Sequence, residues 1–272
     1  AAVYVLAAVV LLNLSGRSFA TARAELEGTS PSIRVNGATI EHITTRGVLE
    51  RDLFDGWLTV RDNDLVLDFK GLADLRGRWP LVDFTAQVDH ADLQALGIAP
   101  REGYHALAAR IDARGRLSPD SLQGRLEATD ISYCDDRGDH DLGYVKLVSG
   151  REAGEEVLRL DATFAEAEVR GRFLPTRVAD LVRNMALSVF PALEEDIRFV
   201  HEPQDFRFTL QLRDADAFIG MFMPDLHVAP GSVFTGYVNS RTFDLGLDAQ
   251  IPSITIGPYR ATGTRLIMDK TL

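Results

Sequence analysis

The chain has 272 residues, 46% hydrophobic and 25% charged, which excludes wholesale disorder and collagen-like structure. Lys and Arg number 29 against 40 Asp and Glu, a formal net charge of −11, which argues against nucleic-acid binding and against adsorption to an anionic bilayer through a basic face. The single cysteine, Cys134, excludes an intramolecular disulfide and a cysteine-based zinc site.

The chain opens at Ala1 and stops at Lys270-Thr271-Leu272, and it reads as a piece of a longer protein. Residues 1–12 are apolar, but a bilayer span needs about 20 residues. A basic stretch before them and a small-x-small cleavage site after them are both missing, so a buried strand over 3–12 is preferred to a signal peptide.

Beyond this point the dominant period is two. Strands are expected at 19–27, 33–50 with an interruption, 56–60, 65–70, 81–89, 105–116, 121–133 and 143–149. Further strands follow at 158–164, 166–173, 205–213, 232–238, 242–250 and 261–268. The clearest case is 205–213, where Phe206, Phe208, Leu210 and Leu212 alternate with Arg207, Thr209, Gln211 and Arg213. Side chains of a strand point alternately to its two faces, so this one has an apolar face and a polar face. Leu158, Leu160, Ala162 and Phe164 likewise oppose Arg159, Asp161 and Thr163.

Turns at Arg61-Asp62-Asn63-Asp64, Ser118-Pro119-Asp120, Asp135-Asp136-Arg137-Gly138 and Arg151-Glu152-Ala153-Gly154 leave no room for parallel crossovers. The expected fold is therefore mostly β, a long antiparallel meander. One amphipathic helix is expected at 176–189 between Pro175 and Pro191, and a short one at 214–223 before Pro224. A single turn at 92–97 ends on Gly97. The organisation follows as a β segment over 1–174, a helical insertion and linker over 175–204, and a continuation of the β segment over 205–272.

A short unit, apolar-x-Gly-x-apolar, recurs at Gly124, Gly171 and Gly236, with looser copies at Gly28, Gly56 and Gly115. Glycine inside a strand marks a bulge, a bend or a close approach, so its recurrence points to a sheet bent along a line.

Catalytic constellations are missing. The sequence has no Gly-x-Ser-x-Gly elbow, no phosphate-cradling loop and no His-Glu-x-x-His helix, and no cofactor is expected. Asp135-Asp136-Arg137-Gly138-Asp139-His140-Asp141 has enough oxygen ligands for a hard cation, but it lacks calcium-loop spacing and reads better as a solvated hairpin turn. Cys134 reads as a packing residue rather than a nucleophile. No catalytic or metal-binding residue is assigned, and the chain is not expected to be an enzyme. A glycan-acting enzyme with paired carboxylates is the weakest alternative.

About sixteen strands at roughly 4.8 Å each would make a ribbon on the order of 75 Å long. Bent into a trough, such a ribbon would expose an apolar surface too large to leave unoccupied, suited to lipid acyl chains. The lining residues are then Leu158, Leu160, Phe164, Phe206, Phe208, Leu210 and Leu212. The competing architecture is a closed β-sandwich or β-solenoid, a structural or adhesive module of a secreted or surface protein.

Four stretches carry a family resemblance. They are Leu11-Leu12-Asn13-Leu14-Ser15-Gly16 with 22–28; Leu122-Gln123-Gly124-Arg125-Leu126 through Tyr133; Leu158-Arg159-Leu160-Asp161 through Phe173 and on to Val189-Phe190-Pro191; and Phe206-Arg207-Phe208-Thr209-Leu210 with Phe222-Met223-Pro224-Asp225-Leu226 and Pro230-Gly231-Ser232. In order and character they resemble the AsmA-like family of large periplasmic proteins, and within it the translocation and assembly module (TamB) branch of Bacteroidota-type bacteria. The resemblance spans residues 11–266 and rests on the order of strand, turn and helix signals, without an active-site motif. It implies an elongated β-groove, a periplasmic location tethered to the inner membrane, and movement of phospholipid between inner and outer membranes. It also implies outer-membrane protein assembly with a β-barrel partner. The piece would be a middle section, with the N-terminal inner-membrane anchor and the partner-binding C-terminal end outside it.

Overall fold

The computed structural model describes residues 23–35, 38–50, 53–74, 76, 81–99, 102–117, 122–173, 204–242 and 244–270. The strand expected at 3–12, the first residues of the one at 19–27, the turn at 118–120 and the helix expected at 176–189 lie outside them. The described residues form β1 (Arg23–Val35), β2 (Ala38–Glu50), β3 (Leu53–Arg61), β4 (Leu65–Asp74), β5 (Leu81–Asp92), β6 (His105–Leu117), β7 (Leu122–Asp135) and β8 (Gly138–Glu152). They continue with β9 (Glu155–Ala162), β10 (Ala165–Arg172), β11 (Asp205–Leu212), α1 (Asp216–Gly220), β12 (Leu226–Val228), β13 (Val233–Asn239), β14 (Asp244–Ile256) and β15 (Tyr259–Lys270). Strands β1 to β11 neighbour one another in chain order, followed by β13 and β14, with β12 and β15 both beside β14. The fold is the mostly-β antiparallel meander read from the alternation. The break expected within 33–50 falls between β1 and β2, and the short helix expected at 214–223 contracts to five residues. Strand β12 was not expected; three residues are too few for a period-two signal.

The chain divides into two compact units, residues 1–117, 125–146 and 216–226 in the first, and 118–124, 147–215 and 227–272 in the second.

In the first unit, Phe54, Leu58 and Val60 of β3, Leu65, Leu67 and Phe69 of β4, and Val82, Phe84 and Ala86 of β5 are buried at alternate positions. Cross-strand register places them on one face, because directly opposed residues of antiparallel strands point the same way. In three strands the buried positions then jump by three, at Ile40 and Ile43, Val88 and Ala91, and Ala128 and Ile131. At the β5 jump the register shifts by one against both neighbours, a β-bulge that restores the apolar phase so that both ends of the strand bury the same side. In the other two jumps His42 and Asp130 take φ of 53° and 52°, a local backbone turn that likewise changes which residues face the core.

Glycines make the apolar face compact. Gly47, Gly56 and Gly71 stand directly opposite one another on β2, β3 and β4, and Gly71 faces Phe84 of β5. A Cβ on Gly56 would lie 2.6 Å from the Cα of Gly47, so the backbones are too close for a side chain. The rings of Phe54, Phe69 and Phe84 gather beside these glycines, with centroids 6.0 and 5.1 Å apart. The glycine line therefore holds across three strands. Elsewhere the recurring glycine is paired with an aromatic ring, Gly171 with Phe206 and Gly236 with Phe208.

In the second unit, the hairpin joining β8 and β9 turns on Ala153 and Gly154, with φ of 50° and 88°. Two successive positive φ values are the signature of a type I′ turn, which matches the twist of the flanking strands.

Two predictions follow from the backbone. Gly56→Val should lower unfolding stability by about 1–3 kcal/mol through overpacking, whereas Gly150→Ala, with open space around its Cβ, should be neutral or slightly stabilising in the same urea titration. Ala153→Asn should raise the melting temperature, since alanine in the left-handed region costs roughly 1–2 kcal/mol and asparagine tolerates it.

Candidate functional site

Register across the second unit builds a two-sided sheet. On one side Leu158 of β9 faces Val169 of β10, which faces Phe208 of β11, then Gly236, Leu247 and Met268 of β13, β14 and β15. A parallel row runs Leu160, Ala167, Leu210, Phe234, Ala249 and Leu266. The expected lining residues Leu158, Leu160, Phe206, Phe208, Leu210 and Leu212 thus share a face, assembled from two strands 43 residues apart at their nearest described ends (162 to 205). Phe164 lies beyond the end of β9, in the turn leading to β10, and is buried.

This face is graded. Val169, Phe173 and Phe206 form a buried cluster, against which Leu158, Phe208 and Val238 pack half-buried. Leu160, Leu210, Leu212, Phe234, Leu266 and Met268 are half-buried as well. The ring of Phe208 occupies the space a side chain on Gly236 would need. The strands contributing Phe234, Leu247, Leu266 and Met268 were legible in the sequence, but the face these residues join was not, because their alternation is weaker and only register shows it.

The opposite face is ionic. Arg159 donates to Glu152 and, at 2.8 Å, to Glu168; Arg170 bonds Glu168 and Glu152; Arg207 bonds Glu155 through both terminal nitrogens at 3.0 and 3.2 Å. Arg213 joins Asp161 and Glu166, and Arg265 joins Asp248. Hydrogen bonds from Arg159 and then Arg170 push the Glu152 carboxyl down to about 2. Exposed pairs are individually weak, but Arg159, Arg170 and Arg213 each bridge two or more acids, and the lattice is close to neutral.

Across this ionic face runs a trough of about 640 Å³. One wall is the row Arg170, Arg207, Tyr237 and Asp269; the other is Glu168, Thr209, Thr235, Asp248 and Ile267. The floor is the backbone of the intervening row Phe208, Gly236, Leu247 and Met268, whose side chains go to the apolar face.

The Asp135–Asp141 turn in the first unit corrects one expectation. It is a hairpin turn, but Asp135 is buried rather than solvated. Its carboxylate accepts from the Arg137 amide at 2.9 Å, from the Arg137 guanidinium at 2.7 and 3.0 Å, and pairs with His140 Nε2 at 3.1 Å. Arg137 also donates to the Gly220 carbonyl at the end of α1, 2.8 Å away. Next to it, His105 and Tyr133 are buried and hydrogen-bonded side chain to side chain, and the Tyr133 ring stacks between His105 and His140. Burial alone would raise the Asp135 pKa, but the Arg137 and His140 bonds outweigh it and hold the carboxyl well below the usual range. Among the described residues, no group of three or more His, Cys, Asp or Glu could hold a metal ion. The Cys134 thiol is pushed up, first by its interaction with Asp139 and then by burial, which disfavours a nucleophilic thiolate. No family model, curated protein or solved structure matches the chain.

Asp135→Asn should cost about 1–3 kcal/mol at neutral pH by leaving Arg137 and His140 without their anion. Because the folded pKa lies below that of an ordinary aspartate, about 3.9, this stabilisation is present above that pH and lost as pH falls through the folded value. Urea titrations of wild type and variant should therefore converge on acidification below about pH 4.

Proposed function

We propose that the chain is a segment of an AsmA-like periplasmic conduit. Its apolar sheet face holds phospholipid acyl chains in transit between inner and outer membranes, and the whole protein supports assembly of outer-membrane β-barrels. The observation that carries the reading is the half-buried row of Leu160, Leu210, Phe234 and Leu266, with Leu212 beside it, on a sheet whose other face is an ionic lattice. A dry protein core buries such residues completely, whereas a surface that hands hydrocarbon from site to site needs apolar side chains that remain accessible. Their chemical variety is immaterial, since acyl chains demand no directional contact. Inner-membrane tethering and the barrel partner enter through the family resemblance.

The alternative is a structural or adhesive module, favoured by the fully buried cluster of Val169, Phe173 and Phe206. Native mass spectrometry after mild extraction separates the two, because a conduit should carry co-purified phospholipid and a structural module should not. Leu210→Asp is the sharper probe. Its register neighbours are Ala167 and Phe234, outside the tight cluster. On an accessible lipid face the variant should keep its fold and lose bound phospholipid. In a dry core the buried carboxylate would cost several kcal/mol and unfold the unit, overturning the reading.

A further inference from the structure

From the trough on the ionic face of the second unit, we infer a binding site for a neutral oligosaccharide, independent of the lipid-lining face on the other side of the sheet. The trough crosses β10, β11, β13, β14 and β15, so it is about 19 Å long at the usual strand spacing, and its walls stand two residues apart along each strand, about 7 Å. Its walls are neighbouring rows of one sheet face, so an extended sugar chain would lie along the trough with its rings over the Tyr237 row rather than sunk between the walls.

Tyr237 provides the platform. Its ring lies against Gly246 of the neighbouring strand, where a Cβ would collide with it, and its hydroxyl pairs with Asp269 at 3.2 Å. The ring is thus held against the sheet while the residue remains 43% exposed. An exposed aromatic pinned in this way offers its apolar surface to the C–H face of a pyranose at little entropic cost.

The charges around it select for neutrality. Arg207 is engaged by Glu155 and Asp248 by Arg265, so an anion would have to break an existing pair, and the carboxylate of Asp269 is already occupied by the Tyr237 hydroxyl. Such pairs still have free lone pairs and N–H groups for hydroxyls, with charge-assisted strength. Thr235 adds a hydroxyl that can donate and accept. An acyl chain would desolvate these groups without compensation. A peptide lying across the strands would find their backbone amides and carbonyls already used in the ladder, so strand addition is excluded there.

The test is isothermal titration calorimetry of the intact chain with chitotetraose and cellotetraose. At least one should bind, and Tyr237→Ala should weaken it roughly three- to tenfold through lost stacking. Should Tyr237→Ala melt early, Thr235→Arg, which fills the trough from an exposed position, should abolish binding with the fold intact. Co-purified phospholipid should be unchanged in both variants, so failure of this site and failure of the conduit are read separately. Binding of neither oligosaccharide, equal binding by wild type and both folded variants, or displacement of the sugar by inorganic phosphate would overturn the assignment.

Discussion

Antiparallel register is the constraint on which the rest of the structure depends. Once Val169 faces Phe208 and Gly236 faces Leu247, every second residue of each strand is committed to one side of the sheet. Apolar alternation in β9 and β11 then becomes one continuous apolar face, and the intervening Arg159, Glu168, Arg170 and Arg207 become one ionic lattice. A slip of one residue in any strand would put its leucines among the guanidiniums and its arginines against Phe206, and neither error could be absorbed locally. The bulge between Val88 and Ala91 of β5 obeys the same constraint, because it adds the single residue that keeps a long strand in phase with both neighbours.

This explains what could be read from the sequence. Period-two alternation needs only local order, so β11 was legible almost to the residue. The starts of β4 and β5 were legible, with their ends three or four residues further on than expected. Turns such as 61–64 and 151–154 followed from Asp, Asn and Gly. That the apolar residues of β9 and of β11 share one face of their own strand was legible for the same reason. Information carried between strands was hidden. Asp135 sits in a run of acids that looks solvated, and its burial depends on His140 and on Arg137, which in turn bonds Gly220 more than eighty residues further on. The apolar-x-Gly-x-apolar unit was visible, but its partners were not: only register shows that Gly56 meets Gly47 and Gly71, while Gly236 lies beneath Phe208. The Tyr237 platform was hidden in the same way, since nothing within β13 shows that glycine stands opposite it.

Glycine has a second consequence at these positions. Where it faces another glycine, as at Gly47 and Gly56, two backbones approach to a distance no Cβ allows, and phenylalanines crowd in beside them. Where it faces an aromatic, the ring covers the bare backbone and spans the strand beside its own. Both arrangements trade the conformational cost of glycine for apolar packing over the main chain. They also place flat rings on the sheet at fixed heights, Phe208 on the apolar face and Tyr237 on the ionic one.

The two faces therefore differ in how they can meet a ligand. The apolar face holds half-buried leucines and phenylalanines, which gain when any hydrocarbon covers them and impose no orientation upon it. The ionic face has few such groups. What it offers is directional, hydroxyls and paired charges, with short threonines at Thr209 and Thr235 and the Tyr237 ring lying over Gly246. A sheet one residue thick can thus present a permissive surface and a selective one back to back. The same alternation builds both, so a substitution on one side of a strand leaves the chemistry of the other side in place.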